Sequence, residues 1–397
     1  MVTLDKIYHA SFVLKDIIRK TDMIYAPKIN SDCEVYLKTE NLQVTGSFKV
    51  RGAAYKISQL SAEEKAKGVI ACSAGNHAQG VALAATKNGI KSLICLPDGA
   101  PISKVEATKS YGADICLVEG VYDDAYNKAL QLRDEKGYTF VHPFDDDDVI
   151  AGQGTIGLEI LDQLADADAV VVPIGGGGLI SGVSFAIKAL NPNVKVYGVQ
   201  AKGAPSMYNS VKDNKIERLP NVSTIADGIA VKEPGANTFE YVKKYVDEVV
   251  TVSDDEIATA ILTLIEQQKL VTEGAGAVSV AAVMFNKIDV KGKKVVCLVS
   301  GGNIDVTILN RVIKRGLLKS GRQQTFCIEL QDKPGQLVAV SKIIADRGAN
   351  VISIHHERAS EGTDITACYL RIVLETRNYE HVKEISDALT DAGFKLI

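Results

Sequence analysis

Lys49 stands in the run Thr45-Gly46-Ser47-Phe48-Lys49-Val50-Arg51-Gly52-Ala53, where a Gly-Ser turn opens a helix. A lysine in a first helical turn is ordinarily a solvated charge, so its chemistry depends on what else the chain supplies. Three strand-like runs end in loops of small residues: Ser73-Ala74-Gly75-Asn76-His77, Gly175-Gly176-Gly177-Gly178 and Ser300-Gly301-Gly302-Asn303. In an open α/β sheet such loops lie at the carboxyl ends of strands, where helix N-termini offer unpaired N–H groups to anions. Four consecutive glycines are entropically costly. A nest for one phosphate, with Leu179 opening the next helix, explains them better than a tight turn alone. A lysine beside such a nest suggests a Schiff-base lysine, because an amine nucleophile needs a lowered pKa and a bound aldehyde. The Ser73 hydroxyl and the N–H groups of residues 73–77 then read as a pocket for a substrate carboxylate. His77, judged alone, is more often an ordinary helix-start residue than an acid or base.

Other candidates carry less. The four-glycine loop lacks the third glycine of G-x-G-x-x-G, and no G-x-x-x-x-G-K-[ST] occurs, so dinucleotide and P-loop sites are weakly supported. Asp145 to Asp148 precede a helical run and read as capping and dipole complement rather than a metal cluster. His355 and His356 lie in a strand, where neighbours point to opposite faces, so they do not chelate one ion. No H-E-x-x-H, EF-hand or zinc spacing is present, and no metal is expected. Seven cysteines with no C-x-x-C pair read as reduced, mostly buried thiols.

The elements that must position these residues alternate. From about residue 34 to 310, short β-branched runs such as GVIACS, KSLICLP and AVVVPI are separated by helices, which implies mainly parallel sheets covered on both faces. Thr3 caps a first helix whose apolar positions are Leu4, Ile7, Tyr8, Phe12 and Val13. Near residue 315 the chain turns basic and polar, and the remainder parses as β-α-β-β-α with a last short strand at Lys395–Ile397. A formal charge of −4 among 397 residues gives no long-range attraction for nucleic acid or anionic membrane. The apolar stretch Gly274–Phe285 falls short of the roughly 20 residues a spanning helix needs. The N-terminus has no signal-peptide pattern, so a cytoplasmic protein is expected.

Taken together, SFKVRGA, SAGNHAQG, PIGGGGLISG, VTEGAGA and SGGNID resemble the fold type II pyridoxal-phosphate enzymes, and within them the threonine/serine dehydratases (L-threonine ammonia-lyases). The resemblance covers about residues 5–315. The last 73 residues resemble an ACT domain through the DKPG turn and the GANVISI strand. The implied fold is α/β: two open, mainly parallel sheets with helices on both faces, plus a C-terminal βαββαβ (ferredoxin-like) ACT domain. The implied organisation is a catalytic domain at 1–320 with a smaller lobe at about 45–145, a linker at 321–324 and an ACT domain at 325–397.

The resemblance implies pyridoxal 5′-phosphate carried by Lys49, next to Phe48. Gly175, Gly176, Gly177, Gly178 and Leu179 would hold its phosphate, Asn76 its 3′-oxygen and Ser300 its ring nitrogen. Ser73, Ala74, Gly75, Asn76 and His77 would receive the substrate amino acid. A neutral serine opposite the ring nitrogen makes the ring a weaker electron sink than a carboxylate would, favouring loss of a β-leaving group over transamination. The implied reaction turns L-threonine into 2-oxobutyrate and ammonia, with L-serine as an overlapping substrate.

Similar serine racemases carry a second serine where this chain has Ala74, and acidic metal ligands in the stretch matching Gln200 to Ser206, so racemisation and a tight Mg²⁺ site are disfavoured. The ACT resemblance implies a homo-oligomer, dimer or tetramer, and an amino-acid effector, isoleucine, near Asp332, Gly335, Gln336 and Asn350. A reading from another class is a non-catalytic amino-acid sensor. The complete set of lysine, glycine loop and serine argues against it.

Overall fold

The computed structural model describes residues 2–357 and 367–397. Packing divides the chain into two compact units, Met1–Asp305 and Val306–Ile397. The helix Val306–Lys319, placed at the end of the catalytic domain by sequence, clusters with the second unit.

In chain order the first unit lays down β1 (Met23–Tyr25), β2 (Glu34–Lys38), β3 (Val69–Cys72), β4 (Ser92–Pro97), β5 (Asp114–Val118), β6 (Thr139–Phe140), β7 (Ala169–Pro173), β8 (Lys195–Ala201), β9 (Glu248–Val252) and β10 (Lys294–Leu298). They form two sheets. One has six strands in the order β1-β2-β10-β7-β8-β9, parallel except for β1, and the other is all parallel in the order β5-β4-β3-β6. β3, β7 and most of β10 and β8 are fully buried, which is why they read as continuous apolar runs rather than alternating ones.

Side-chain caps mark several helix starts. The Thr3 side chain accepts from the Lys6 N–H at the start of the helix Leu4–Leu14. The inward face of that helix is Ile7, Ala10 and Leu14, whereas Tyr8 and Phe12 are exposed, Phe12 by 78%. This corrects the face expected from the sequence: Ala10 supplies contact with the core that apolar spacing alone assigns to the larger rings. Asp146 caps the helix Asp147–Gln163 by accepting from the Asp148 and Val149 N–H groups. The expected capping role of the aspartate run holds there, and Asp145 adds one invisible in the sequence. Its carboxylate accepts from Ala236, Asn237 and Thr238 at the start of the helix Ala236–Tyr245.

The second unit contains β11 (Gln323–Gln331), β12 (Asn350–Glu357), β13 (Ala367–Glu375) and β14 (Lys395–Leu396) in an antiparallel sheet of order β12-β13-β11-β14. The helices Gln336–Asp346 and Tyr379–Asp391 complete the βαββαβ order, and their buried Val340, Ile344, Ile385 and Leu389 share one core with Ile328, Leu330, Leu370 and Ile372. Among the described residues, no helix is long and apolar enough to cross a membrane.

Candidate active site

A cleft of about 1100 Å³ collects the three small-residue loops and Lys49. Lys49 is the first residue of the helix Lys49–Ser58. The loop before it is sewn to the loop after β10: Ser47 bridges Gly301, the Phe48 N–H donates to the Ser300 carbonyl, and Gly302 N–H donates to the Gly46 carbonyl. Gly46 sits at φ 72°, and a Cβ there would lie 2.4 Å from Asn303 Oδ1, so the approach of the two loops requires glycine.

The Lys49 amine donates to the Pro143 carbonyl at 2.7 Å and lies 5.4 Å from the centre of the Phe48 ring. Lys49 is half-buried and lines the cleft. Burial lowers its pKa to about 8, with the Glu273 charge opposing the shift. That is the amine expected of a nucleophile and proton acceptor at neutral pH.

Around it, the Gly75 N–H donates to Ser73 Oγ, and the helix Asn76–Lys87 starts at the loop's end. A Cβ at Gly75 would meet nothing within 4 Å, so this backbone borders open space. Asn76 is held from both sides: its Nδ2 donates to Glu273 Oε1 at 2.7 Å and its Oδ1 accepts from Asn303 Nδ2 at 2.7 Å. His77 is buried, its Nε2 donating to the Val141 carbonyl at 2.8 Å. Burial first, then the Lys49 charge, pushes its pKa down to about 3. It is neutral at physiological pH and suits lining better than acid–base work.

Gly175–Gly178 run into the helix Gly178–Leu190, with Gly177 at φ 102°. The first intrahelical bond runs from Ser181 N–H to the Gly177 carbonyl, leaving the N–H groups before it at the open helix end. These glycines have a second reason to be glycine. A Cβ on Gly176 would meet the Phe144 ring at 2.5 Å, and one on Gly177 would meet Thr238 at 2.7 Å. Ser300 is buried beside them, its hydroxyl donating to the Ala275 carbonyl at 3.3 Å. Gln200 and Ser206 are spent internally, Gln200 Oε1 on the Tyr208 N–H and Ser206 Oγ on the Val231 carbonyl.

The residue that spacing did not single out is Glu273. Its only sequence signal is the VTEGAGA run that contains it. Burial, then the charge of Asp227, raises its carboxyl to about 7 against the opposing bond from Asn76. Asp227 itself pairs with Lys104 at 2.5 Å on the cleft rim. Glu273 therefore gains or loses a proton near neutral pH while touching Asn76. Glu273→Gln is expected to remove an ionisation near pH 7 from the kcat/KM profile. A profile unchanged between pH 6 and 8, where the assay would sample about one unit either side, would show that Glu273 does not report on the reaction.

The model of the "Pyridoxal-phosphate dependent enzyme" family matches residues 14–301, which is most of the chain. The chain belongs to this family. An ACT domain model matches residues 326–393. The L-threonine ammonia-lyase of Thermotoga maritima is 52% identical over 398 residues, covering 100% of this chain and 99% of that protein. Among solved structures, maize serine racemase superposes with a TM-score of 0.75 at 35% identity, over 80% of this chain and 98% of that one. The processed form of threonine deaminase isoform 2 from Solanum lycopersicum gives 0.74 at 38% identity, over 78% and 93%.

The family's cofactor is pyridoxal 5′-phosphate, and the donor set fits it. A low-pKa amine suits an aldehyde, a glycine loop at a helix N-terminus suits a phosphate, and a neutral hydroxyl suits an unprotonated ring nitrogen.

Proposed function

We propose that this chain dehydrates and deaminates L-threonine to 2-oxobutyrate and ammonia, and accepts L-serine as a second substrate. The observation that carries the reading is the Lys49 amine, with its lowered pKa, facing the same cleft as the glycine loop and the Ser73–His77 pocket.

In this reading Lys49 carries the cofactor, packed beside Phe48. The N–H groups of Gly175, Gly176, Gly177, Gly178 and Leu179 would hold its phosphate, Asn76 its 3′-oxygen, and the Ser300 hydroxyl, turned from the Ala275 carbonyl, its ring nitrogen. Bound there, pyridoxal phosphate supplies an electron sink for the charge left at the substrate Cα. The chain's own groups do the rest. Ser73 Oγ and the N–H groups of Ala74 and Asn76 would hold the substrate carboxylate, Gly75 fixing Ser73 Oγ through its own N–H and His77 closing the wall behind them.

The free amine of Lys49 takes the Cα proton, and its pKa near 8 keeps a useful fraction unprotonated at neutral pH. Ala74 offers no base to the opposite face, so proton return from that side, and with it racemisation, is disfavoured. One methyl distinguishes threonine from serine, worth only about 1–3 kcal/mol in a fitted pocket, so both turn over.

The ACT domain points to small-molecule control and self-association. We assign the effector to isoleucine, bound near Asp332, Gly335, Gln336 and Asn350, in a homo-oligomer (dimer or tetramer). Gly335 at φ 91° caps the helix Gln336–Asp346, so the Asp332–Gly335 turn presents that helix N-terminus to an anionic group. Leu337, Val338, Val351, Ile352 and Ile354 are exposed apolar side chains in the same unit, a surface suited to a second copy.

The test is 2-oxobutyrate formation from threonine across a range of isoleucine concentrations. Product is expected, with half-saturation by threonine shifted upward about 5–150-fold at saturating isoleucine. No product sinks the catalytic reading; product with kinetics indifferent to isoleucine sinks the effector assignment alone.

A further inference from the structure

Asp332, His356 and Cys368 come from three separate strand ends of the C-terminal unit and meet at one place. Cys368 opposes Leu330 of β11, and His356 opposes Leu370 on the other side of β13. Cys368 and Leu370 are two apart on one strand and share a face, so His356 lies on that face too, while His355, opposite Arg371, lies on the other. Asp332 directly follows β11. Cys368 is 1% exposed and forms the floor, whereas Asp332 and His356 are exposed at the rim. His356 Nε2 lies 3.1 Å from Cys368 Sγ, and one ligand atom from each of the three residues falls within 4.8 Å of the others.

We propose that these three side chains bind a borderline divalent transition-metal ion of the Zn²⁺ or Co²⁺ type, with water completing a tetrahedron. The donor set selects that class: a thiolate and an imidazole favour it over Mg²⁺ or Ca²⁺, which take oxygen ligands. The geometry permits it. Bonds of about 2.3 Å to sulfur and about 2.0–2.2 Å to nitrogen and oxygen at tetrahedral angles put ligand atoms about 3.3–3.7 Å apart. The observed spacing, within 4.8 Å, is up to about 1 Å wider than that arrangement, so binding draws the three side chains together. Binding replaces the thiol proton: Cys368–SH and M²⁺ give the metal thiolate and one released H⁺. Thiolate and carboxylate then balance the ion's two positive charges. Spacing along the chain does not reveal the site because its ligands lie on two strands and just past a third, which only the sheet register brings together.

The experiment uses the full chain with its cofactor, reduced and freed of metal by chelation, and titrated with Co²⁺ alone. One equivalent per chain is expected to produce the visible d–d bands of tetrahedral cobalt and a near-ultraviolet thiolate-to-cobalt charge-transfer band, both bleached by Zn²⁺. Cys368→Ser should abolish the charge-transfer band. Because Cys368 is a core residue, the exposed positions supply the second arm: His356→Ala and Asp332→Asn should each weaken Co²⁺ binding by more than about tenfold. Absence of a charge-transfer band in the parent, its survival in Cys368→Ser, or unchanged affinity in both rim variants overturns the site. In that case His356 and Cys368 simply share a hydrogen bond.

Discussion

Replacing Lys49 by alanine is expected to lower the rate of 2-oxobutyrate formation by about 10⁴-fold or more, while the protein stays folded. The size follows from the two roles proposed for one atom, carrying the cofactor and taking the Cα proton. Positioned proton transfer alone is worth about 10²–10⁴-fold, and loss of covalent catalysis adds to it. Folding should survive because Lys49 begins the helix Lys49–Ser58, where alanine is the best helix former, and because its amine makes one hydrogen bond, to the Pro143 carbonyl.

Borohydride treatment of the parent should fix the cofactor covalently to the Lys49 peptide, and the variant should yield no such peptide. Lys49→Arg keeps the positive charge but offers no condensing amine, so it should be as inactive as alanine. Turnover by either variant within tenfold of the parent, roughly 1.4 kcal/mol in barrier, would remove Lys49 from the chemistry.

Two residues along the same helix, Arg51→Met is expected to destabilise the protein by about 3–5 kcal/mol, the usual cost of stripping one partner from a buried ion pair. The Arg51 guanidinium is fully buried and donates to both oxygens of Glu40 at 2.8 Å. It also donates to Glu159 at 2.7 and 3.0 Å and to Thr155 Oγ1 at 3.1 Å. Lys38, equally buried, adds a bond to Glu159 at 2.6 Å, so two cations balance two carboxylates. Without Arg51, the buried Glu40 and the partly buried Glu159 face Lys38 alone.

The pH dependence has a definite sign. Burial pushes the Glu40 carboxyl up, but the Arg51 charge and hydrogen bonds, with Lys38, outweigh it and hold the pKa below the usual value. A group with a depressed folded-state pKa contributes stability that is present above its unfolded pKa. That stability is lost as pH falls through the folded value. Urea unfolding of the parent should therefore weaken toward acid pH, and Glu40→Gln should flatten that limb while lowering stability at neutral pH. A loss under about 1 kcal/mol in Arg51→Met, comparable to a surface pair, would mean the cluster is solvated in a way its burial does not show.

Lys49, the three loops that end strands in small residues, and the βαββαβ tail could all be found in the linear chain. So could the Asp146 cap. Each depends on local rules: burial on both faces writes an apolar run, a left-handed or closely approached backbone writes glycine, and an unpaired helix end writes Ser, Thr or Asp. Groups whose meaning lies in a distant partner could not be found this way. Glu273 becomes a near-neutral acid only because folding buries it beside Asp227 and hands it to Asn76. Asp145 caps a helix 91 residues downstream, and Phe12 sits in an apolar pattern yet faces outward.

By itself, then, the sequence marked the small-residue loops at the strand ends and the lysine at a helix start that share one cleft, since those properties belong to residue type and local conformation. The tertiary structure alone decided which charges are desolvated and paired: the lowered Lys49, the raised Glu273, the Arg51 cluster and the Asp332–His356–Cys368 meeting point. Desolvation and Coulomb energy depend on distances across the fold, and spacing along the chain does not encode them.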